Sequence, residues 1–401
     1  MFQVENLKNL VSHKIKPHLS KRNFSWLRLA YNVVTSSKYI GSHKNNIKYT
    51  QSLFKSSEVN GFTPPTFTVS VNDSCNLRCP NCLYLLEDPD KFFNSHISLD
   101  NFKSTLEKFN GDKNSETIFL MGGEPLIHPQ FEELVDICKY YNFRYIRVAT
   151  NGILVKRKMS AIAKVDSINI SMDSYDYGTF YKYRKGTEKQ FDQIIDGLKE
   201  LKERGIKFSL SYVISTENAF EVLKMLEFSE NMGADLVHFH NINPHGSDEF
   251  SPMMINDKNT LHFLDQVLSR SDYSFDITLP VIIDQDSELF DHGKCTQPWS
   301  QIVYNSIGNV AYCCHLDQDE KIGNVFNEYD RNSDKMKQFR EAIISGKQSE
   351  MTSCRLCQRR FVGHEYGNFD SSLKRWFLKE TYDKGTHNSF ESAMETNSTA
   401  N

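Results

Sequence analysis

At 401 residues, 39% hydrophobic and 24% charged, the chain is long enough to bury a large core and too apolar to stay disordered. Its formal net charge of −4 gives no ground for a nucleic-acid partner. No apolar run reaches the length of a membrane span or a secretory signal, so the nine cysteines are expected to be reduced, metal-binding thiols of a cytoplasmic protein.

The charge is uneven. Residues 1–60 hold ten Lys and Arg against Glu5 and Glu58, a local net of +8. Val4, Leu7, Val11 and Ile15, then Phe24, Leu27, Leu29, Tyr31 and Val34, supply an apolar set at helical spacing. This pattern predicts a basic helical extension over residues 1–62. Such a segment packs as a lid on the main domain, makes peripheral contact with an anionic membrane, or binds an acidic partner.

Thr66 to Val71 alternates as a strand does, and Asn72-Asp73-Ser74 reads as the turn leaving it. Directly behind lies Cys75-Asn76-Leu77-Arg78-Cys79-Pro80-Asn81-Cys82. Three thiolates on one loop can hold three irons of a four-iron cluster and leave the fourth open to a ligand. A structural zinc knuckle or three separate buried thiols are the bland alternatives.

Strands and helices then alternate. Strands are expected at 117–121, 145–150, 167–172, 208–214 and 236–240, and helices at 98–109, 130–141, 155–164, 191–204, 217–233 and 258–269. Six βα units in series imply a parallel α/β sheet curled into a partial, TIM-like (β/α)6 barrel, with ligands at the carboxyl ends of the strands. Polar groups gather at those ends. Gly122-Gly123-Glu124-Pro125 closes the second strand, Thr150-Asn151-Gly152 the third, and Ser171 and Asp173 the fourth, with Arg184 following and expected to lie exposed. Glycines let a ligand approach the backbone, and Arg meets a carboxylate through two parallel bonds. His238, His240, Asn241, Asn243 and His245 on and after the sixth strand, with His128 nearby, form the richest polar cluster on that face. His128 and His240 are the candidate catalytic bases, although a lone His is more often structural.

The C-x3-C-x2-C loop followed one strand later by Gly122–Pro125 resembles the radical S-adenosylmethionine (SAM) family, over roughly residues 66–245. The resemblance implies that the open iron on the Cys75, Cys79 and Cys82 cluster chelates SAM. It implies that Gly122, Gly123 and Glu124 hold the SAM amino group, that Ser171 and Arg184, with Asp173 beside them, bind its carboxylate, and that Thr150 and Asn151 edge its ribose or methionine. Many members carry an aromatic just before the third Cys to pack on adenine; this chain has Asn81.

Cysteines return as Cys295, Cys313, Cys314, Cys354 and Cys357, with Gly308 at a turn between expected strands 302–304 and 310–312. A four-cysteine zinc site satisfies the same spacing. The pattern also resembles the C-terminal SPASM extension or its shortened twitch form. A full SPASM region has seven cysteines and two clusters, so five cysteines imply one second [4Fe-4S] cluster on Cys295, Cys313, Cys354 and Cys357. Cys314 is a neighbour or a register alternative, and Cys138 a core thiol. The expected division is a basic helical extension (1–62), the barrel (63–272), a small cysteine-rich α+β auxiliary domain (273–366), and a C-terminal helix and disordered tail (367–401).

The implied chemistry is reductive SAM cleavage to a 5′-deoxyadenosyl radical, hydrogen abstraction from the substrate, and transfer of an electron to the auxiliary cluster. A donor such as flavodoxin or ferredoxin would supply the first electron. Three substrate classes stay open: a peptide undergoing maturation, a small molecule such as a sugar, or a lipid or membrane-linked glycan. A non-catalytic iron–sulfur or zinc scaffold is the alternative of another class.

Overall fold

A computed structural model describes residues 53–59, 64–82, 95–111, 113, 115–243, 251–254, 273–278, 295–314 and 322–357. The expected helices of residues 1–50, the helix near 258–269, His245 and the tail fall outside these residues.

Nine strands form one sheet in the order β7-β6-β5-β4-β3-β2-β1-β8-β9. They are β1 (Thr66–Asn72), β2 (Thr117–Gly122), β3 (Tyr145–Thr150), β4 (Ser167–Ser171), β5 (Phe208–Ile214), β6 (Leu236–Asn241), β7 (Asp276–Thr278), β8 (Gln301–Tyr304) and β9 (Val310–Ala311). Every pairing is parallel except β8 with β9. The helices that return the chain are α1 (Leu99–Asn110), α2 (Phe131–Tyr140), α3 (Met159–Ile162), α4 (Tyr177–Arg184), α5 (Glu188–Glu203) and α6 (Val222–Met232). The partial TIM-like barrel is the architecture found.

Alternation explains which face the helices cover. Ile118 and Leu120, Ile146 and Val148, Ile168 and Ile170, and Val237 and Phe239 are at most 1% exposed and belong to one core with Phe102, Leu134, Leu198 and Leu226 of the helices. Each such side chain contributes roughly 1.5–3 kcal/mol through burial. Helix starts follow capping chemistry: Ser98 caps α1, while Asp176 and Thr187 form capping boxes on α4 and α5.

Three features depart from expectation. α4 is a separate helix, with Arg184 as its last residue, where a connecting stretch was expected. β8 pairs in parallel with β1, so the cysteine-rich region extends the barrel sheet. Third, the segment before β1 packs on the C-terminal region. Phe54 meets the Trp299 ring edge-on at 5.4 Å, Trp299 Nε1–H donates to Ser56 O (2.8 Å), and Asn332 bonds both backbone groups of Val59. Helix α7 (Gln297–Ser300) carries Trp299, and α8 (Asp334–Ile344) carries Arg340, which ties this junction. Arg340 is 1% exposed and donates to Pro298 O, Ser57 O, Arg331 O and Asn332 Oδ1. Burial lowers its pKa to about 10, and the four oxygen acceptors replace its lost hydration.

Candidate functional site

The cysteine loop leaves β1 beside the end of β2, and the two are stitched together. Gly123 N–H donates to Asn72 O (3.0 Å) and Glu124 N–H to Ser74 O (2.7 Å). A Cβ at Gly122 or Gly123 would stand 2.3 Å from the Asn72 or Ser74 carbonyl oxygen, and Gly122 has φ +146°. The glycines are therefore demanded by the close approach of two backbones.

Glu124 is 1% exposed. Its carboxylate accepts from Leu126 N–H (3.1 Å), Thr150 Oγ1–H (2.6 Å) and Asn151 N–H (2.7 Å), joining the end of β2 to the end of β3. Burial raises its pKa, opposed by those three donors and by the positive charge of Arg184. Glu124 thus forms the wall behind the site. Asn151, anchored by it, donates from Nδ2 to Asn76 Oδ1 (2.7 Å) and lies 3.9 Å from Cys75 Sγ.

Arg184 reaches the loop from the other side. It stands 3.4 Å from Cys79 Sγ, donates to Ser171 O, and pairs through Nε with Asp173 (3.2 Å). Contrary to the exposed position expected, its side chain is only 12% exposed. Burial disfavours its cation, but Asp173 and, once ionised, the Cys79 and Cys75 sulfurs outweigh that and hold the pKa above the ordinary value. Asp173 takes φ +49°, and its Oδ1 accepts from Val213 N–H (2.6 Å), so it is fastened to β5 while it orients Arg184.

Cys75, Cys79 and Cys82 are half-buried, and none is in a disulfide. Burial pushes the Cys75 thiol up to about 12; the Leu77 N–H opposes this, and Glu124, Cys79 and Cys82 add to it. Ionising these neighbouring thiols together needs a cation among them, which the irons of a cluster supply. Donors from Leu77, Asn151 and Arg184 on two of the sulfurs are the second layer that iron–sulfur thiolates use. The donor set fits the expected group.

The auxiliary cysteines come from separate segments. Cys295, Cys354 and Cys357 are buried, and Cys313 and Cys314 half-buried. Cys295 N–H donates to the buried Gln348 Oε1 (3.0 Å), and Cys357 N–H to Cys354 O (3.0 Å) in and after α9 (Thr352–Arg355). Among the described residues no three His, Cys, Asp or Glu gather closely enough for one metal ion, which a cluster taking one thiolate per iron does not require. A bridge unforeseen from sequence links the two regions. Asp73 Oδ2 accepts from Ser95 Oγ–H (2.6 Å) and from Ser306 Oγ–H (2.6 Å) in the β8–β9 turn. At 233 residues of separation, nothing local signals that contact.

Among the histidines, His128 is a correction. It is fully buried, its Nε2 lies 2.8 Å from Ile97 O, and its Nδ1 accepts from Gln130 N–H (3.1 Å). Both ring nitrogens serve backbone and burial lowers the pKa, so His128 is a neutral structural residue, packed against His96 beside the end of β1. His240 is exposed and stacks on His238 at 5.8 Å, while Asn241 is buried.

Residues 69–229 match the radical SAM superfamily, and residues 295–358 the SPASM iron–sulfur cluster-binding domain. A radical SAM domain implies SAM and a SAM-binding [4Fe-4S] cluster as cofactors, and a SPASM domain implies further iron–sulfur. The antilisterial bacteriocin subtilosin biosynthesis protein AlbA of Bacillus subtilis is 24% identical over 270 residues, 65% of this chain and 57% of that protein. A probable GTP 3′,8-cyclase of Saccharolobus islandicus is 29% identical over 181 residues, 44% of this chain and 57% of that one. The chain thus spans little more than half the length of these relatives. Streptococcus suis SuiB bound to precursor peptide SuiA shares the fold, with TM-score 0.55 and 14% identity over 84% of this chain and 80% of that chain. No helix among the described residues is long and apolar enough to cross a membrane.

Proposed function

We propose that this radical SAM enzyme is an oxidoreductase that takes a hydrogen atom from a peptide and passes the remaining electron to an auxiliary cluster. In this reading residues 63–272 form the SAM-cleaving barrel and 273–366 the auxiliary domain. Cys75, Cys79 and Cys82 hold the first cluster; Cys295, Cys313, Cys354 and Cys357 hold the second. When bound, the first cluster and SAM supply an electron and a 5′-deoxyadenosyl radical able to remove a substrate hydrogen. The rest is positioning by the protein. Arg184, oriented by Asp173 and lying beside Ser171, takes the SAM carboxylate. Gly122 and Gly123 bring backbone close to its amino group. Glu124 braces Thr150 and Asn151 at the rim, and His240 is the remaining candidate for moving a proton.

The observation that carries the reading is the convergence of Asn151 from β3 and Arg184 from α4 on the thiols of one loop. A peptide is favoured over a small molecule because the likeness to AlbA extends over 65% of the chain, against 44% for the cyclase. An external donor such as flavodoxin or ferredoxin would deliver the electron.

Anaerobic incubation with SAM and dithionite should release 5′-deoxyadenosine, and deuterium from a labelled peptide fraction of cell extract should appear in it. No 5′-deoxyadenosine would overturn the enzyme reading. Label arriving only from the small-molecule fraction would overturn the peptide.

A further inference from the structure

The hydrogen bonds on the first cysteine loop are unequal. Cys75 Sγ takes neutral donors, Leu77 N–H at 3.5 Å and Asn151 Nδ2–H at 3.9 Å. Cys79 Sγ takes a cation, Arg184 Nη1–H at 3.4 Å. A bond from a charged donor is roughly twice as strong as a neutral one, so of these two sulfurs Cys79 feels the protein more strongly. The Arg184 carbonyl oxygen also lies 3.8 Å from Cys79 Sγ, where it can accept from a thiol. An iron-bound Cys79 has lost that proton and is an acceptor only. The guanidinium bond is the one that persists.

Arg184 is held in place for this contact. Nη2 donates to Ser171 O at the end of β4, and Nε faces Asp173 Oδ2 at 3.2 Å without the alignment of a hydrogen bond. Asp173 is itself fixed to β5 through Val213 N–H. The Arg184 side chain is only 12% exposed, so solvent ions screen its charge weakly. A guanidinium carries more N–H groups than this arrangement engages, which leaves the fork able to take a carboxylate without leaving its place.

We propose that Arg184 sets the reduction potential of the first cluster through Cys79, and that an arriving SAM carboxylate competes for the same guanidinium. The proposal rests on the reading above that Cys75, Cys79 and Cys82 hold a SAM-binding cluster, and it adds a regulatory role to the carboxylate ligand. Reduction brings one electron from the external donor, and so one more negative charge, to the iron–sulfur core. A cation and a hydrogen bond on a ligand sulfur stabilise that charge and raise the potential. Before SAM binds, Arg184 therefore eases reduction. Once its charge is shared with the carboxylate, its pull on Cys79 weakens and the potential falls. The electron is then given up more readily to the sulfonium of SAM, whose breaking C–S bond takes it.

The test is a redox titration of the anaerobic holoenzyme followed by electron paramagnetic resonance. It reads the signal that SAM perturbs, which belongs to the first cluster. Without SAM, Arg184→Gln should disfavour reduction about tenfold, which is about 59 mV for a one-electron couple. Arg184→Lys, which keeps the charge, should recover part of that. At saturating SAM the difference between wild type and Arg184→Gln should shrink. A purely structural Arg184 would leave the potential where it is. Equal potentials without SAM overturn the proposal, and so does a difference that SAM leaves unchanged. A second measurement keeps residue 184 intact. Protein carrying heavy-nitrogen arginine should show a guanidinium nitrogen coupled to the reduced cluster, weakened by SAM and kept in Arg78→Lys, which removes the arginine of the loop itself. Absence of that coupling overturns the proposal even where the variants fail to fold. Iron content and 5′-deoxyadenosine release test the cluster reading separately: cleavage with unmoved potentials sinks the proposal alone, and a loop without iron sinks both.

Discussion

The two cysteine regions are built on opposite principles. Cys75, Cys79 and Cys82 stand within eight consecutive residues at the end of β1, half-buried, with neighbouring segments leaning in to donate hydrogen bonds to them. Cys295, Cys313, Cys354 and Cys357 come from α7's approach, the end of the β8–β9 hairpin and α9, and three of the four are buried. A local loop leaves an accessible face, as an iron that must bind SAM requires. Ligands gathered from distant segments would close around a cluster held there, as suits the proposed site that passes electrons and binds no substrate. The first region needs only its loop and the ends of neighbouring strands. Beside the second, Gln348 holds Cys295, and Trp299 packs on the chain before β1.

Breaking either site separates these roles, and the largest effect falls on the local loop. Cys79→Ala should abolish 5′-deoxyadenosine release and remove about four irons per chain, read by product assay and iron analysis. Retained cleavage would remove this loop from the chemistry. Cys354→Ala with Cys357→Ala should also cost about four irons while sparing some SAM cleavage and stopping substrate oxidation. Normal substrate turnover in that double variant would show that the auxiliary site has no redox part.

The supports of the closed site come next. Arg340→Met strips the carbonyls of Ser57, Pro298 and Arg331 of their shared buried donor and should destabilise the protein by about 3 kcal/mol in a denaturant titration. Ser306→Ala removes one of the two hydroxyls on Asp73 and should cost about 1 kcal/mol. Ser306→Thr, which keeps the hydroxyl, should recover most of it. Equal stability of Ser306→Ala and wild type would mean that the two regions hold together without this bridge.

The smallest effect is a pH dependence at His128. Burial lowers its folded pKa below the ordinary 6.5, so the unfolded chain binds the extra proton between the two values. Stability should therefore be full above 6.5 and fall as the pH drops from there through the folded value. His128→Gln should flatten that part of the stability curve, and an unchanged slope would show that other groups govern it.

What the sequence by itself determined was whatever local spacing encodes: the C-x3-C-x2-C loop, the strand and helix alternation, and the polar residues at the strand ends. Each of these depends on residues a few positions apart, and the period of a strand or helix reports which face is buried. Only the tertiary structure decided that Arg184 is buried against Asp173, that Gly122 and Gly123 serve a backbone crossing, and that Glu124 braces β3. It alone showed that His128 spends both nitrogens on backbone and that β8 continues the barrel sheet. These facts depend on partners as far as 233 residues away, where solvent exclusion and hydrogen-bond satisfaction choose the contact and no local pattern records it.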